Sequence, residues 1–184
     1  MKTLSNKMKT LVEVEMKTQV PETELKRVQK FAVDVTLDPK TAHPRLNLSA
    51  KQSLSSGRFY FEVQVKRRTD WDLGVTRELS KRKGDITLSP QKGYWTIGFS
   101  NEDEYQANDD PSVVLSLRSR PQKVGVFVDY EEGLVSFYDV EAAALIYSFT
   151  GCSFKKKLLP FFFPEVNDGG IYSAPLIITP VGVN

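Results

Sequence analysis

From Val33 onward the apolar residues of this chain recur at every second position, and that period constrains the fold more than any other feature. Phe59, Phe61, Val63 and Val65 alternate with Tyr60, Glu62, Gln64 and Lys66, and Trp71, Leu73 and Val75 repeat the pattern. A period of two sends alternate side chains to opposite faces of a pleated strand, so one face can be buried while the other stays wet. The same reading predicts strands at Trp95–Phe99, Val113–Leu117, Val124–Val128, Leu134–Asp139, Ile146–Phe149, Phe161–Phe163 and Leu176–Thr179. Tyr130-Glu131-Glu132-Gly133 between two of them is a hairpin link of four residues containing Gly. Ser55-Ser56-Gly57, Ser89-Pro90, Asp109-Asp110-Pro111 and Asn167-Asp168-Gly169-Gly170 supply further turns. No amphipathic helix of three turns is found after residue 32, so the class is all-β, a sandwich or a barrel. Without an internal repeat, a propeller or solenoid is not indicated.

Residues 1–32 read differently. Leu4, Met8 and Leu11 are spaced four then three apart, and Leu25, Val28 and Ala32 repeat the spacing after Pro21. Glu22 and Lys26 stand an i,i+4 pair apart. This describes the end of a coiled coil, through which the chain could form a homodimer, or a solvated helical leader; fewer than three heptads do not separate the two.

Composition narrows the function. Residues 1–30 hold seven Lys/Arg against four Glu; with 25 basic and 23 acidic groups in all, the remainder carries 18 against 19. A nearly neutral body speaks against a nucleic-acid surface, which needs many cations facing phosphates together. Cys152 is the only cysteine, so no intrachain disulfide can form, which fits a reducing compartment. The N-terminus has neither the apolar run nor the cleavage site of a signal peptide, and no segment has the length of a membrane span. A cytoplasmic protein that engages no membrane is expected.

Catalytic chemistry finds few candidates. His43 is the only histidine, so neither a zinc site rich in His and Cys nor a Ser-His-Asp triad can be assembled without it, and it sits beside Pro44 in a predicted loop. Cys152 reads as a small buried hydrophobe. Neither GxxxxGK[ST] nor GxGxxG occurs. Asp70/Asp72, Asp109/Asp110 and Glu131/Glu132 fall in or beside predicted turns, where carboxylates belong on backbone grounds. Lys66-Arg67-Arg68, Lys81-Arg82-Lys83 and Lys155-Lys156-Lys157 read as solvated turn charge. No catalytic residue, metal site or cofactor is expected. Glu102-Asp103-Glu104 with Asp109-Asp110, close to Phe99 and Tyr105, predicts an anionic loop with aromatic shoulders, suited either to a basic partner or simply to solubility.

A family likeness rests on residues in order along the chain: Leu37-Asp38-Pro39, Gly57 to Val63, Trp71-Asp72-Leu73-Gly74-Val75, Gly93 to Ile97, Val124 to Glu131, Leu134 to Asp139, and Pro160-Phe161-Phe162 through Asn167-Asp168-Gly169-Gly170. Together they resemble a PRY–SPRY domain of the tripartite-motif (TRIM) type over residues 33–181, with a PRY part at 33–52 and a SPRY part at 53–181. Glu24 to Val35 resembles the coiled-coil-to-PRY junction of those proteins, many of them ubiquitin ligases. The resemblance implies a bent, jelly-roll-like two-sheet antiparallel sandwich behind a short helical leader. It also implies a canyon of loops at one end that grips a protein partner without catalysis. The RING and B-box zinc modules of such ligases do not occur in this sequence, so the chain itself is not expected to transfer ubiquitin. By position, the canyon would comprise Asp72, Gly98, Ser100, Asn101, Glu102, Tyr105, Glu165, Val166 and Asn167. Gly98 and Ser100 stand where some relatives carry large aromatics, so the partner should differ from theirs. Between Leu46-Asn47-Leu48-Ser49 and Ser53-Leu54 only Ala50-Lys51-Gln52 stand where relatives carry about a strand pair more. A less stable PRY half and an altered canyon wall are expected. A decoy isoform dimerising through the leader, and a small-ligand sensor in the same canyon, are the alternatives.

Overall fold

A computed structural model of the chain describes residues 23–37, 48–50, 54–66, 70–78, 86–101, 103–164, 177–179 and 181. The predicted alternation builds two five-stranded antiparallel sheets and a two-stranded one. The first sheet has the order β10-β9-β8-β3-β12, made of Ala144–Phe149 (β10), Leu134–Asp139 (β9), Lys123–Asp129 (β8), Arg58–Gln64 (β3) and Ile177–Thr179 (β12). The second has the order β11-β4-β5-β6-β7, from Leu158–Pro164 (β11), Trp71–Arg77 (β4), Tyr94–Ser100 (β5), Glu104–Ala107 (β6) and Val113–Leu115 (β7). Val35–Leu37 (β1) and Leu48–Ala50 (β2) pair with each other, and β2 lies against β11.

The core is the set of residues that the period of two assigns to the inner faces. Phe59, Phe61 and Val63 of β3, Val124, Val126 and Val128 of β8, and Val135 and Phe137 of β9 meet Trp71, Leu73 and Val75 of β4 and Trp95, Ile97 and Phe99 of β5. All are at most 2% exposed. Each such side chain contributes roughly 1.5–3 kcal/mol on leaving water, which is why this pattern prevails over local propensity. The hairpin predicted at Tyr130–Gly133 forms between β8 and β9, with Val128 opposite Val135. The Gly57 amide donates to both carboxylate oxygens of Glu131, at 3.0 and 2.9 Å, so this turn carboxylate does serve the backbone.

Three expectations need correction. The anionic loop is interrupted by a strand: Glu104–Ala107 is β6, paired with β5 from Ile97↔Ala107 to Ser100↔Glu104, while Asp103, Asp109 and Asp110 flank it. Its alternation was hidden because only Tyr105 and Ala107 point inward, too few apolar residues to show a period. Phe99 and Tyr105 are accordingly core residues, not shoulders of a loop; their rings stack at 4.5 Å. The strand predicted at Val113–Leu117 ends at Leu115.

The described part of the leader is also not a free seam. Thr23 caps a short helix, α1 (Glu24–Gln29), by accepting the Lys26 amide. Leu25 and Val28, 5% and 7% exposed, are buried against Tyr60, Phe127 and Tyr138 on the outer face of the first sheet. Ala32 forms a parallel bridge to Tyr60, with the Val33 amide donating to the Tyr60 carbonyl at 3.0 Å. Six helical residues would be unstable alone; tertiary burial holds them. Two of the apolar residues assigned to an inter-chain seam are thus spent within the domain. The earlier members of that pattern, Leu4, Met8 and Leu11, lie outside the described residues.

Candidate functional site

Alternation places one row of residues on the outer face of the second sheet. The ladders pair Phe163 with Asp72, Asp72 with Gly98, Gly98 with Gln106 and Gln106 with Val114, a line across all five strands. Exposure rises along it from half-buried Asp72 and buried Gly98 to exposed Gln106 and Val114. The expected residues Asp72 and Gly98 are therefore neighbours, and their contact explains the glycine. A Cβ on Gly98 would stand 2.3 Å from Asp72 Oδ1, so the bare backbone of β5 is what lets the carboxylate lie across it.

Asp72 is held by a network that sequence reading missed. Asn108 Nδ2 donates to Asp72 Oδ1 at 2.8 Å and to Thr96 Oγ1 at 2.9 Å, and its own carbonyl oxygen accepts Gln106 Nε2 at 2.9 Å. Thr96 is fully buried and Asn108 7% exposed. In such surroundings each polar group needs its partner, and the network fixes the carboxylate. Asn108 precedes the Asp109-Asp110-Pro111 turn and carries no signal of its own in the sequence; only the β5–β6 register reveals that it sits beside Thr96, where its amide donates to the Thr96 carbonyl at 3.0 Å.

Ser100 and Asn101 lie at the end of this sheet, both exposed. Asn101 takes a left-handed conformation, φ 52°, at the β5–β6 turn, a conformation Asn tolerates better than most residues. Its amide donates to Asp70 Oδ1 at 3.1 Å. Tyr105 does not join them. It is 6% exposed on the inner face, packed on Phe99 and Trp71, with its hydroxyl pushed above the ordinary range by burial and drawn back by Arg120. Glu102, Glu165, Val166 and Asn167 lie outside the described residues, as does His43. Cys152 is half-buried, and burial raises its thiol to about 12, chemically an unreactive side chain. Among the described residues no group of three His, Cys, Asp or Glu could hold a metal, and no helix is long and apolar enough to cross a membrane.

Known proteins share this architecture. A family profile described as SPRY domain matches residues 58–176. Human pyrin is 40% identical over 188 residues, matching 86% of this chain and 24% of pyrin. The bovine E3 ubiquitin-protein ligase TRIM21 is 37% identical, over 85% of this chain and 40% of its own length. Nuclear factor 7 (ovary) of Xenopus laevis is 39% identical over 73% of this chain and 27% of its own. The chain thus spans between about a quarter and two fifths of these relatives. The pyrin match runs over 188 residues but draws on 86% of 184, about 158, so roughly 30 positions of the matched span have no counterpart here. Among solved structures, the TRIM65 PSpry domain aligns with a TM-score of 0.64 at 20% identity, over 77% of this chain and 92% of that one. Stonustoxin aligns at 0.63 and 22%, over 79% and 28%. At these identities the structures speak for the fold.

Proposed function

The chain belongs to the SPRY domain family, in the PRY–SPRY form carried by TRIM-type proteins, and from that premise we propose that it is a non-catalytic protein-recognition module that selects a protein target. The observation that carries the reading is the Asp72–Gly98 contact. A carboxylate held in place by Asn108, on a sheet face kept open by a glycine, makes a fixed acceptor for a cationic or hydrogen-bond-donating side chain of a partner. Ser100 and Asn101 supply small polar neighbours at the end of the same sheet, and Glu102 follows them in sequence. No large aromatic side chain occupies Gly98 or Ser100, so the partner brings the bulk and this chain the recess. Kinship with an E3 ubiquitin-protein ligase supports target selection in ubiquitin-linked regulation, and a cytoplasmic, innate-immune setting is part of the same proposal.

The test is affinity capture from cell lysate with the wild type and a triple variant, Asp72→Ala, Asn101→Ala and Glu102→Ala, each first shown to melt cooperatively. At least one partner should be lost from the variant by tenfold or more. Equal recovery of every partner by both proteins would remove the reading.

A further inference from the structure

Among the described residues the row ends at an unpaired edge. β7 is the last strand of its sheet, and in an antiparallel ladder every other residue of an edge strand turns its N–H and C=O outward. Val113–Leu117 make no hydrogen bond beyond the β6 ladder among the described residues. Val114 is 79% and Val113 38% exposed, two of the four exposed large apolar side chains among the described residues of the chain. A groove of about 460 Å³ runs along this edge, lined by Asp103 to Tyr105 and Val114 to Arg120. Its charges are committed unequally. Arg120 lies over the Phe99 ring at 4.5 Å, and Asn101 Nδ2 reaches Glu104 at 3.5 Å. Arg118 has no ion pair, hydrogen bond or ring contact in the described structure.

We propose that β7 receives an extended segment of a partner protein, added antiparallel as a sixth strand, with a β-branched residue against Val114 and an acidic residue two to four positions before it reaching Arg118. Antiparallel addition fixes that order. The partner's earlier residues must lie beside the C-terminal end of β7, where Ser116 and Arg118, both exposed, follow the strand. Backbone bonds supply attachment, and the Val114 and Arg118 contacts supply selectivity. Three paired residues make a short ladder, so the contact is transient and adds to recognition elsewhere. This surface lies beyond Asp72 and binds whether or not Asp72 does.

The experiment uses the whole chain and a capped octapeptide, Thr-Glu-Thr-Glu-Thr-Val-Thr-Thr, followed by amide NMR and hydrogen exchange. The expected result is shifts confined to Val113–Arg118 with exchange slowed about tenfold at an outward β7 amide. Methylating the probe's backbone nitrogens should abolish binding. Arg118→Glu should weaken this probe at least fivefold and favour its Lys counterpart. Shifts elsewhere, no binding, or undiminished binding of the methylated probe would overturn the proposal. So would a concentration-dependent dimer in sedimentation that Val114→Lys dissolves, since a second copy would then own the edge.

Discussion

The two sheets turn opposite kinds of surface outward. On the first, the outer side chains are large and aromatic, and the chain covers them with its own helix. Tyr60, Phe127 and Tyr138 lie under Leu25 and Val28 of α1. Tyr138 Oη donates to Glu24 at 2.8 Å, while Gln29 Nε2 and Tyr60 Oη both donate to Glu62 Oε1, at 3.0 and 3.2 Å. On the second, the corresponding row is Asp72, Gly98, Gln106 and Val114, half-buried or buried at its first two positions and exposed at its last two. One face is closed from within the chain and the other is polar and open at its edge. A face that carries its own cover contributes to stability, whereas the face with one fixed carboxylate is the one to which the proposed recognition is assigned.

A matched pair of glycines breaks or sharpens this contrast most strongly. A Cβ on Gly125 would stand 2.1 Å from Tyr60 Oη, at the end of a rigid, fully buried ring. Gly125→Ala should therefore cost roughly 3 kcal/mol in chemical denaturation. At Gly98 the obstacle is the tip of a flexible side chain, so Gly98→Ala should cost only about 1 kcal/mol, through the Asn108 hydrogen bond it breaks, yet displace Asp72 and impair the proposed recognition. Equal costs would mean that the two faces are equally rigid.

Next in size, Leu25→Ala should lower stability by about 2 kcal/mol and speed hydrogen exchange in β8 and β9 more than in β4 and β5. A uniform change would show that the helix is not a local cover. Asn108→Ala leaves buried Thr96 and Asp72 short of a donor and should cost about 1 kcal/mol, without moving the helix. Crystallography or NMR of that variant would show whether Asp72 loses its fixed position.

The smallest effect is absent at neutral pH. Burial, and then the hydrogen bond to Asp109, raise Tyr147 of β10 from 10.0 to about 12; burial, aided by Glu62 and by Glu24, likewise raises Tyr60 and Tyr138. Their neutral forms are favoured by folding, so this stability is complete below pH 10 and is lost as the pH rises toward 12 and beyond. All three belong to the first sheet. Ultraviolet titration should show a late-ionising tyrosine class, and exchange at alkaline pH should open the helix-covered face first. Ionisation of all seven tyrosines near pH 10 would contradict this.

The inner faces were legible in the sequence because burial and the pleat share a period: Phe59, Phe61 and Val63, or Trp95, Ile97 and Phe99, announce their face by spacing alone. The outer faces were not. Whether Asp72 meets Gly98, or Asn108 meets Thr96, depends on which strands pair and in what register, and that is settled by turns and packing far along the chain. Tyr105 shows the same limit from the other side: a tyrosine among carboxylates looked wet until the β5–β6 pairing turned its ring inward. Leu25 and Val28 were recognised as an apolar stripe, but a stripe does not say whether its partner is another chain or the sheet thirty residues on.

The fastening of α1 has a mechanical corollary. Thr23 and α1 lie on the outer face of the first sheet, on the side of the molecule away from Asp72 and Gly98. Tension arriving there passes through Glu24 and Gln29 into Tyr138 and Glu62, and so into the middle strands of the first sheet. A load at Thr23 is thus shared with the first sheet through α1 before the chain runs on into β1, whose partner β2 lies against β11 of the second sheet.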